Sequence, residues 1–200
     1  DELRNSPNVN DILNDKQKIG LKFYDDILAR IPRGEIMKHE KLLKDVLKKV
    51  DPKAELTIAG SYRRGKTESG DIDVLLKSEN KSTFKKFITA LTKIEYLYPE
   101  HLAVGQKKYN GLGKIKNHLI YRRIDIMYTT PAEYPFAILY FTGSMEFNAK
   151  MRGLTLEKGL SMNEYSLKDN DTKKVVDHKF VEEKDIFDYL GMEWVEPVDR

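Results

Sequence analysis

The chain has no cysteine, so disulfides and thiolate metal centres are excluded. That absence is compatible with an intracellular setting. No apolar run approaches the roughly 18 residues that span a bilayer. The opening Asp-Glu-Leu-Arg-Asn is not a signal peptide. Charge of one sign is also scarce in the balance: 35 Lys and Arg face 32 Asp and Glu, a net charge of +3. Nucleic-acid binding is therefore not demanded by net charge and has to come from its distribution. The first 50 residues are rich in lysine and the last 20 are acidic. Internal repeats and low-complexity tracts are absent. At 200 residues the chain can bury a real core, as one unit or as two to three small subdomains.

What is present centres on Gly60 to Asp73, Gly-Ser-Tyr-Arg-Arg-Gly-Lys-Thr-Glu-Ser-Gly-Asp-Ile-Asp. Apolar Leu56–Ala59 leads in and Val74-Leu75-Leu76 follows, which predicts two short strands joined by a glycine-bounded turn. Side chains alternate along a strand, so Asp71 and Asp73 share a face while Ile72 points into the core. Two carboxylates that close repel, and bound cations or a shared proton relieve them. Hard oxygen ligands of this kind suit Mg2+. Gly60 and Ser61 can bring backbone N–H groups to an anion, and Arg63 and Arg64 add charge. A third carboxylate, Asp125, lies in the strand-like run Arg122–Met127 between Ile124 and Ile126. If that strand pairs beside the first, three carboxylates converge, enough to hold two divalent ions and a triphosphate.

Helices are predicted over 16–30, with Ile19, Phe23, Ile27 and Leu28 on one face, and over 35–50, with Ile36, His39, Leu43, Val46, Leu47 and Val50 inward. Residues 1–10 read as a frayed lead-in, Lys18–Leu21 as a turn, and Ile31–Gly34 as a break. His39 reads as a packed or solvated helix residue, not a ligand. A helix over 81–92 with Ser82 as its cap follows, then strand or edge segments at 94–98 and 101–105. The basic stretch Gln106–Lys116, with Tyr109 inside, is either a solvated hairpin or a contact to phosphates. Further helices are predicted at 133–142, 148–158 and 183–190. A hairpin pairing 163–167 with 174–177 around Asp169-Asn170-Asp171 lies between the last two. Trp194 and Pro197 pack the tail.

Gly60-Ser61, Asp71-Ile72-Asp73 and Ile124-Asp125-Ile126 resemble the nucleotidyltransferase signature. Together with Arg-Arg-Ile-Asp-Ile, Leu-Tyr-Phe-Thr-Gly-Ser and Asn-Glu-Tyr, they resemble the family X DNA polymerases, in particular the branch typified by DNA polymerase beta. The likeness runs from about Gln17 to the end. It implies an α+β fold with a nucleotidyltransferase palm at 55–130. A truncated helical duplex-binding subdomain would occupy 1–54 and a C-terminal α+β nucleotide-selection subdomain 131–200. It implies a monomeric, repair-type DNA-directed DNA polymerase that uses two Mg2+, replaceable by Mn2+. Its partners would be deoxynucleoside triphosphates and gapped or primed DNA, in an intracellular setting, the nucleus in a eukaryote.

By that resemblance Asp71 and Asp73 hold both metals and Asp125 the one at the primer terminus. Ser61, Arg64 and the Gly70 amide, beside Gly60, take the β- and γ-phosphates. Tyr140, Phe141 and Gly143 meet the sugar, the Gly143-Ser144 peptide being cis in the family, and Asn148 meets the base. Lys108, Arg123, Arg152 and Tyr165 touch DNA, although Arg123 can equally be an ion-pair partner. Met127 stands where the beta-type enzyme has an arginine that pairs with a metal-ligand aspartate, a pairing that a thioether cannot make. Met145 stands where that enzyme has an aspartate beside the incoming base. Helix-hairpin-helix segments and a lyase domain have no counterpart here, so weak, salt-sensitive binding to gapped DNA is expected. Two other readings remain open: a template-independent terminal nucleotidyltransferase and a catalytically silent DNA-binding module.

Overall fold

The computed structural model describes Leu3 and residues 6–200, and of Asn10 only the backbone. Its centre is a mixed five-stranded sheet, and the flanking elements follow from which face of that sheet each sequence segment can cover. In chain order the first elements are α1 (Val9–Ile12), α2 (Asp15–Lys22), α3 (Tyr24–Leu28), β1 (Ile31–Pro32) and α4 (Arg33–Val50). Next come β2 (Glu55–Ile58), the single turn α5 (Gly60–Arg63), β3 (Glu68–Ser69), β4 (Ile72–Lys77) and α6 (Ser82–Lys93). They are followed by β5 (Ala103–Val104), β6 (Lys108–Gly113) and β7 (Arg122–Thr129). The chain closes with α7 (Tyr134–Thr142), α8 (Met145–Glu157), β8 (Leu160–Met162), β9 (Leu167–Asp169) and α9 (Glu183–Leu190).

The central strand order is β2-β4-β7-β6-β5. β4 and β7 run parallel, and the other neighbours are antiparallel. Alternation sorts the side chains cleanly. Ile72, Val74 and Leu76 of β4, with Ile124, Ile126 and Tyr128 of β7, face one way. They are buried under α4, through Ile36, Leu43 and Leu47, and under α6, through Phe84, Phe87 and Leu91. Each such apolar side chain contributes about 1.5–3 kcal/mol by leaving water. The opposite face carries Leu75 and Met127 against Ala137 and Ile138 of α7. On that same face stand Asp73 and Asp125.

Helix α7 is apolar almost all round, as a helix shared by two cores must be. Ala137 and Ile138 pack on the sheet. Phe136 and Leu139 join Met151, Leu167, Phe180, Ile186, Phe187 and Leu190 in a second core. α7 thus joins the two cores. The expected residue-54 boundary falls between α4 and the strands α4 covers.

Several expected elements differ. The helix over 16–30 is two pieces, and Lys18–Leu21 is helical rather than a turn. The interruption is Phe23, whose ring lies 4.7 Å from Tyr98 and 5.0 Å from Tyr121, edge-on to both. Ile31–Pro32 does not merely break the chain; it pairs with Glu68–Ser69. The start of α6 is capped by Asn80, whose Oδ1 accepts from the Ser82 amide and hydroxyl, not by Ser82 itself. The late hairpin pairs β8 with β9, earlier than expected, and Val175 adds only a bridge to Lys168. Of the expected lead-in, residues 1, 2, 4 and 5 lie outside the described residues, and Val9 already begins a helical turn. His39 is buried on α4, 2.7 Å from the Tyr96 hydroxyl, so it is packed, not solvated.

Candidate active site

The parallel register sets Asp73 directly opposite Asp125. Asp71, one residue before β4, completes a group whose ligand oxygens lie within 4.8 Å of one another. The three are half-buried at the floor of an open cleft of about 1040 Å³. Burial and the facing Asp125 carboxylate push the Asp73 carboxyl up to about 7, against an opposing effect of Arg64. An all-oxygen donor set with this much repulsion fits a hard divalent cation. The ligand chemistry does not choose between Mg2+ and Mn2+.

The three carboxylates are treated differently by their neighbours. Asp71 is ion-paired to the Arg123 guanidinium. Asp125 accepts a hydrogen bond of 2.8 Å from the Asn110 side-chain amide, and its other oxygen is 3.9 Å from Arg123 Nε. Asp73 packs against the backbone at Gly60, where a Cβ would collide with its carboxylate. Gly60 also has φ +55, so both its conformation and its neighbour demand glycine.

Arg64 rises from α5 into the cleft and donates to the Thr142 carbonyl at 2.5 Å. Its Nε is buried without a hydrogen-bond partner. The Ser61 hydroxyl donates to Ser69 at 2.8 Å and keeps its acceptor capacity. Arg63 turns away from the cleft: it donates to Thr142 Oγ1 at 2.6 Å and to Glu183 at 2.9 Å. Arg200, fully buried against Phe147, Phe187 and Trp194, holds the other Glu183 oxygen at 2.5 Å.

The far wall is the end of α7 and the start of α8. The Gly143–Ser144 peptide there is cis, and Gly143 has φ +70. The Asn148 amide donates to the Tyr140 carbonyl at 2.8 Å, and the Arg152 guanidinium lies 5.2 Å from the Tyr140 ring centre. Met145 lines the same wall and is 79% exposed. Met127 is fully buried beside Leu75, well matched to its apolar surroundings.

Most of the expected site residues line this cleft: the three aspartates, Gly60, Ser61, Arg64, Lys108, Arg123, Tyr140, Phe141, Gly143, Asn148 and Arg152. Gly70 and Tyr165 do not. Gly70 sits between β3 and β4, and Tyr165 lies under the Lys107 and Lys108 ammonium groups, at 4.9 and 5.8 Å. Lys108 itself is paired with Glu164 at 2.7 Å. Sequence reasoning missed Asn110, although it is two residues from Lys108 on the same strand face. It also missed Glu183, whose arginine partner is 120 residues away.

Comparison with known proteins agrees with this geometry. The DNA polymerase beta palm profile matches residues 30–131, and the DNA polymerase beta thumb profile matches 137–200. DNA polymerase lambda from Arabidopsis thaliana is 30% identical over 211 residues, covering 95% of this chain and 40% of that protein. DNA polymerase lambda from Rattus norvegicus is 33% identical over 205 residues, covering 94% of this chain and 36% of that protein. A DNA nucleotidylexotransferase from Xenopus laevis is 28% identical over 239 residues, covering all of this chain and 46% of that protein. The chain therefore spans less than half the length of these curated relatives. By its two matched segments and the carboxylate-floored cleft between them, the chain belongs to the family X DNA polymerases.

Proposed function

We propose that this chain carries a repair-type DNA-directed DNA polymerase activity, adding deoxynucleotides to a primer 3′-hydroxyl in short gaps. The observation that carries the reading is the convergence of Asp71, Asp73 and Asp125 within 4.8 Å on the floor of the cleft. Two divalent cations held there would activate the hydroxyl and neutralise the triphosphate. Asp71 and Asp73 serve both cation positions, and Asp125 the one at the primer terminus. Phosphoryl transfer needs little else from a protein than positioning and charge neutralisation.

The place of Arg64 and Ser61 on the cleft wall supports a role for both at the β- and γ-phosphates, to which the Gly70 amide, outside that lining, is assigned as well. Tyr140, Phe141 and Gly143 bring backbone close to the sugar, and Asn148 lies within reach of the base edge. Lys108, Arg123, Arg152 and Tyr165 are assigned to DNA, which requires Lys108 to exchange Glu164 for a phosphate. In this reading residues 1–54 grip duplex, 55–130 form the palm and 131–200 select the nucleotide. The chain works as a monomer. A DNA-containing compartment follows from the substrate, the nucleus if the source is eukaryotic. No helix among the described residues is long and apolar enough to cross a membrane.

The likeness to a DNA nucleotidylexotransferase favours one second reading, template-independent addition. Extension of a one-nucleotide gap against an unpaired single strand separates the two. Addition confined to the nucleotide complementary to the gap supports the polymerase reading. Equal, unselective extension of the single strand defeats it. The sugar pocket is tested by single-turnover incorporation of dATP and ATP. The deoxynucleotide is expected to win clearly, and equal efficiencies would mean that the Tyr140–Gly143 wall does not exclude the 2′-hydroxyl.

A further inference from the structure

Asp125 stands apart from the other two carboxylates in how it is held. Asp71 has a cationic partner, Arg123, which offsets its charge and must yield for a metal to gain full access. Asp125 is held by Asn110, a neutral donor. Among the described residues this is the one hydrogen bond to the Asp125 side chain. A carboxylate only accepts, so the contact fixes the Asn110 amide orientation as well. The two residues face each other across the antiparallel pair β6 and β7, so the contact is set by sheet register rather than by a mobile loop. The short asparagine side chain has little freedom to lose in making it. Arg123 Nε, at 3.9 Å, is too far from the second oxygen to hold it.

We propose that Asn110 is a positioning residue for Asp125: its amide clamps one carboxylate oxygen and leaves the other directed at the cation beside the primer terminus. This rests on the polymerase reading of the cleft. A lysine or arginine at this place would also orient the carboxylate, but its charge would compete with the metal. An aliphatic side chain would leave the carboxylate free to turn away. An amide orients without neutralising. Outer partners of metal-ligating carboxylates typically carry about 10- to 100-fold in metal affinity or rate.

The test compares wild type, N110L and N110Q. Mn2+ binding to the DNA-free protein is followed by calorimetry. Single-turnover incorporation and triphosphate affinity are measured on gapped DNA, and thermal unfolding monitors the fold. N110L is expected to weaken Mn2+ binding about tenfold and to slow incorporation about 10- to 100-fold. Its triphosphate affinity should stay within twofold, and higher Mn2+ should recover part of the rate. N110Q, which keeps the amide, should recover part of both losses. N110L with Mn2+ affinity and rate within twofold of wild type overturns the inference. So does a loss confined to DNA affinity, which would make Asn110 a DNA contact. Wild-type protein that neither binds Mn2+ nor adds a nucleotide defeats the reading of the cleft itself, and this inference with it.

Discussion

Arg63 and Arg64 are neighbours in the chain and are put to opposite uses. Arg63 enters a closed network in which one carboxylate, Glu183, is shared by two guanidiniums. Its charge is consumed by the protein, and it ties the α5 turn to α9. Arg64 stays on the cleft wall with a buried donor left unmatched. The same contrast holds between the two charge clusters as wholes. The Arg63–Glu183–Arg200 group gives its one carboxylate two guanidinium partners, whereas three carboxylates at the cleft floor share one close arginine. Repelling carboxylates with one close cation among them are what a divalent ion from outside would offset. Residue type alone does not distinguish the two cases; the partners do.

Breaking the contrast at the cleft should give the largest effect. Asp125→Ala is expected to lower single-turnover incorporation by at least about a thousandfold, several kcal/mol of lost transition-state stabilisation. Triphosphate binding should stay within about threefold, because Asp71 and Asp73 remain. Equal loss of binding and chemistry would contradict that division.

Glu183→Ala tests the other cluster. It strands two guanidiniums, one of them fully buried, and should cost about 3–5 kcal/mol in denaturant unfolding. A loss under about 1 kcal/mol would mean that the network is not what docks α9.

Next is Asp73→Asn, where the sign is reversed. The Asp73 carboxyl sits at about 7 when folded, above its ordinary value of 3.8. The metal-free fold therefore loses stability as pH rises through that interval, and the amide variant escapes the loss. The variant should be more stable than wild type at pH 8 by up to about 4 kcal/mol, the gap closing as pH falls toward 4. A gap independent of pH would remove burial and repulsion at Asp73 as its cause.

His39 gives the smallest and opposite dependence. Burial lowers its ring to about 4 from the usual 6.5, so it folds neutral. Its contribution is present above pH 6.5 and is lost as pH falls toward 4, by about 3 kcal/mol at most. Unfolding of His39→Gln should lack this acid-side decline, and an unchanged decline would locate it elsewhere.

The triad was legible in sequence because strand alternation is local: Asp71-Ile72-Asp73 and Ile124-Asp125-Ile126 each declare a polar face and a buried one. The helices at 33–50 and 82–93 were legible for the same reason, at helical period, and the one at 134–142 from an apolar run ended by Gly143. What stayed hidden depends on distant partners. The break at Phe23 comes from Tyr98 and Tyr121. The pairing of Ile31–Pro32 needs Glu68–Ser69, and the fate of Arg63 needs Glu183. The late hairpin was misread because Asn163–Ser166 looks strand-like on paper. Instead, Asn163 Oδ1 accepts from the backbone N–H groups of Tyr165 and Ser166 and turns the chain there.

The most direct test of the contrast is Mn2+ affinity of the DNA-free protein, by calorimetry, in wild type, Asp125→Ala and Glu183→Ala at a temperature where all three are folded. The account predicts that Asp125→Ala loses binding by at least about tenfold, while Glu183→Ala stays within twofold of wild type. Weakening of similar size in both variants would contradict it, because the two clusters would then be one functional unit.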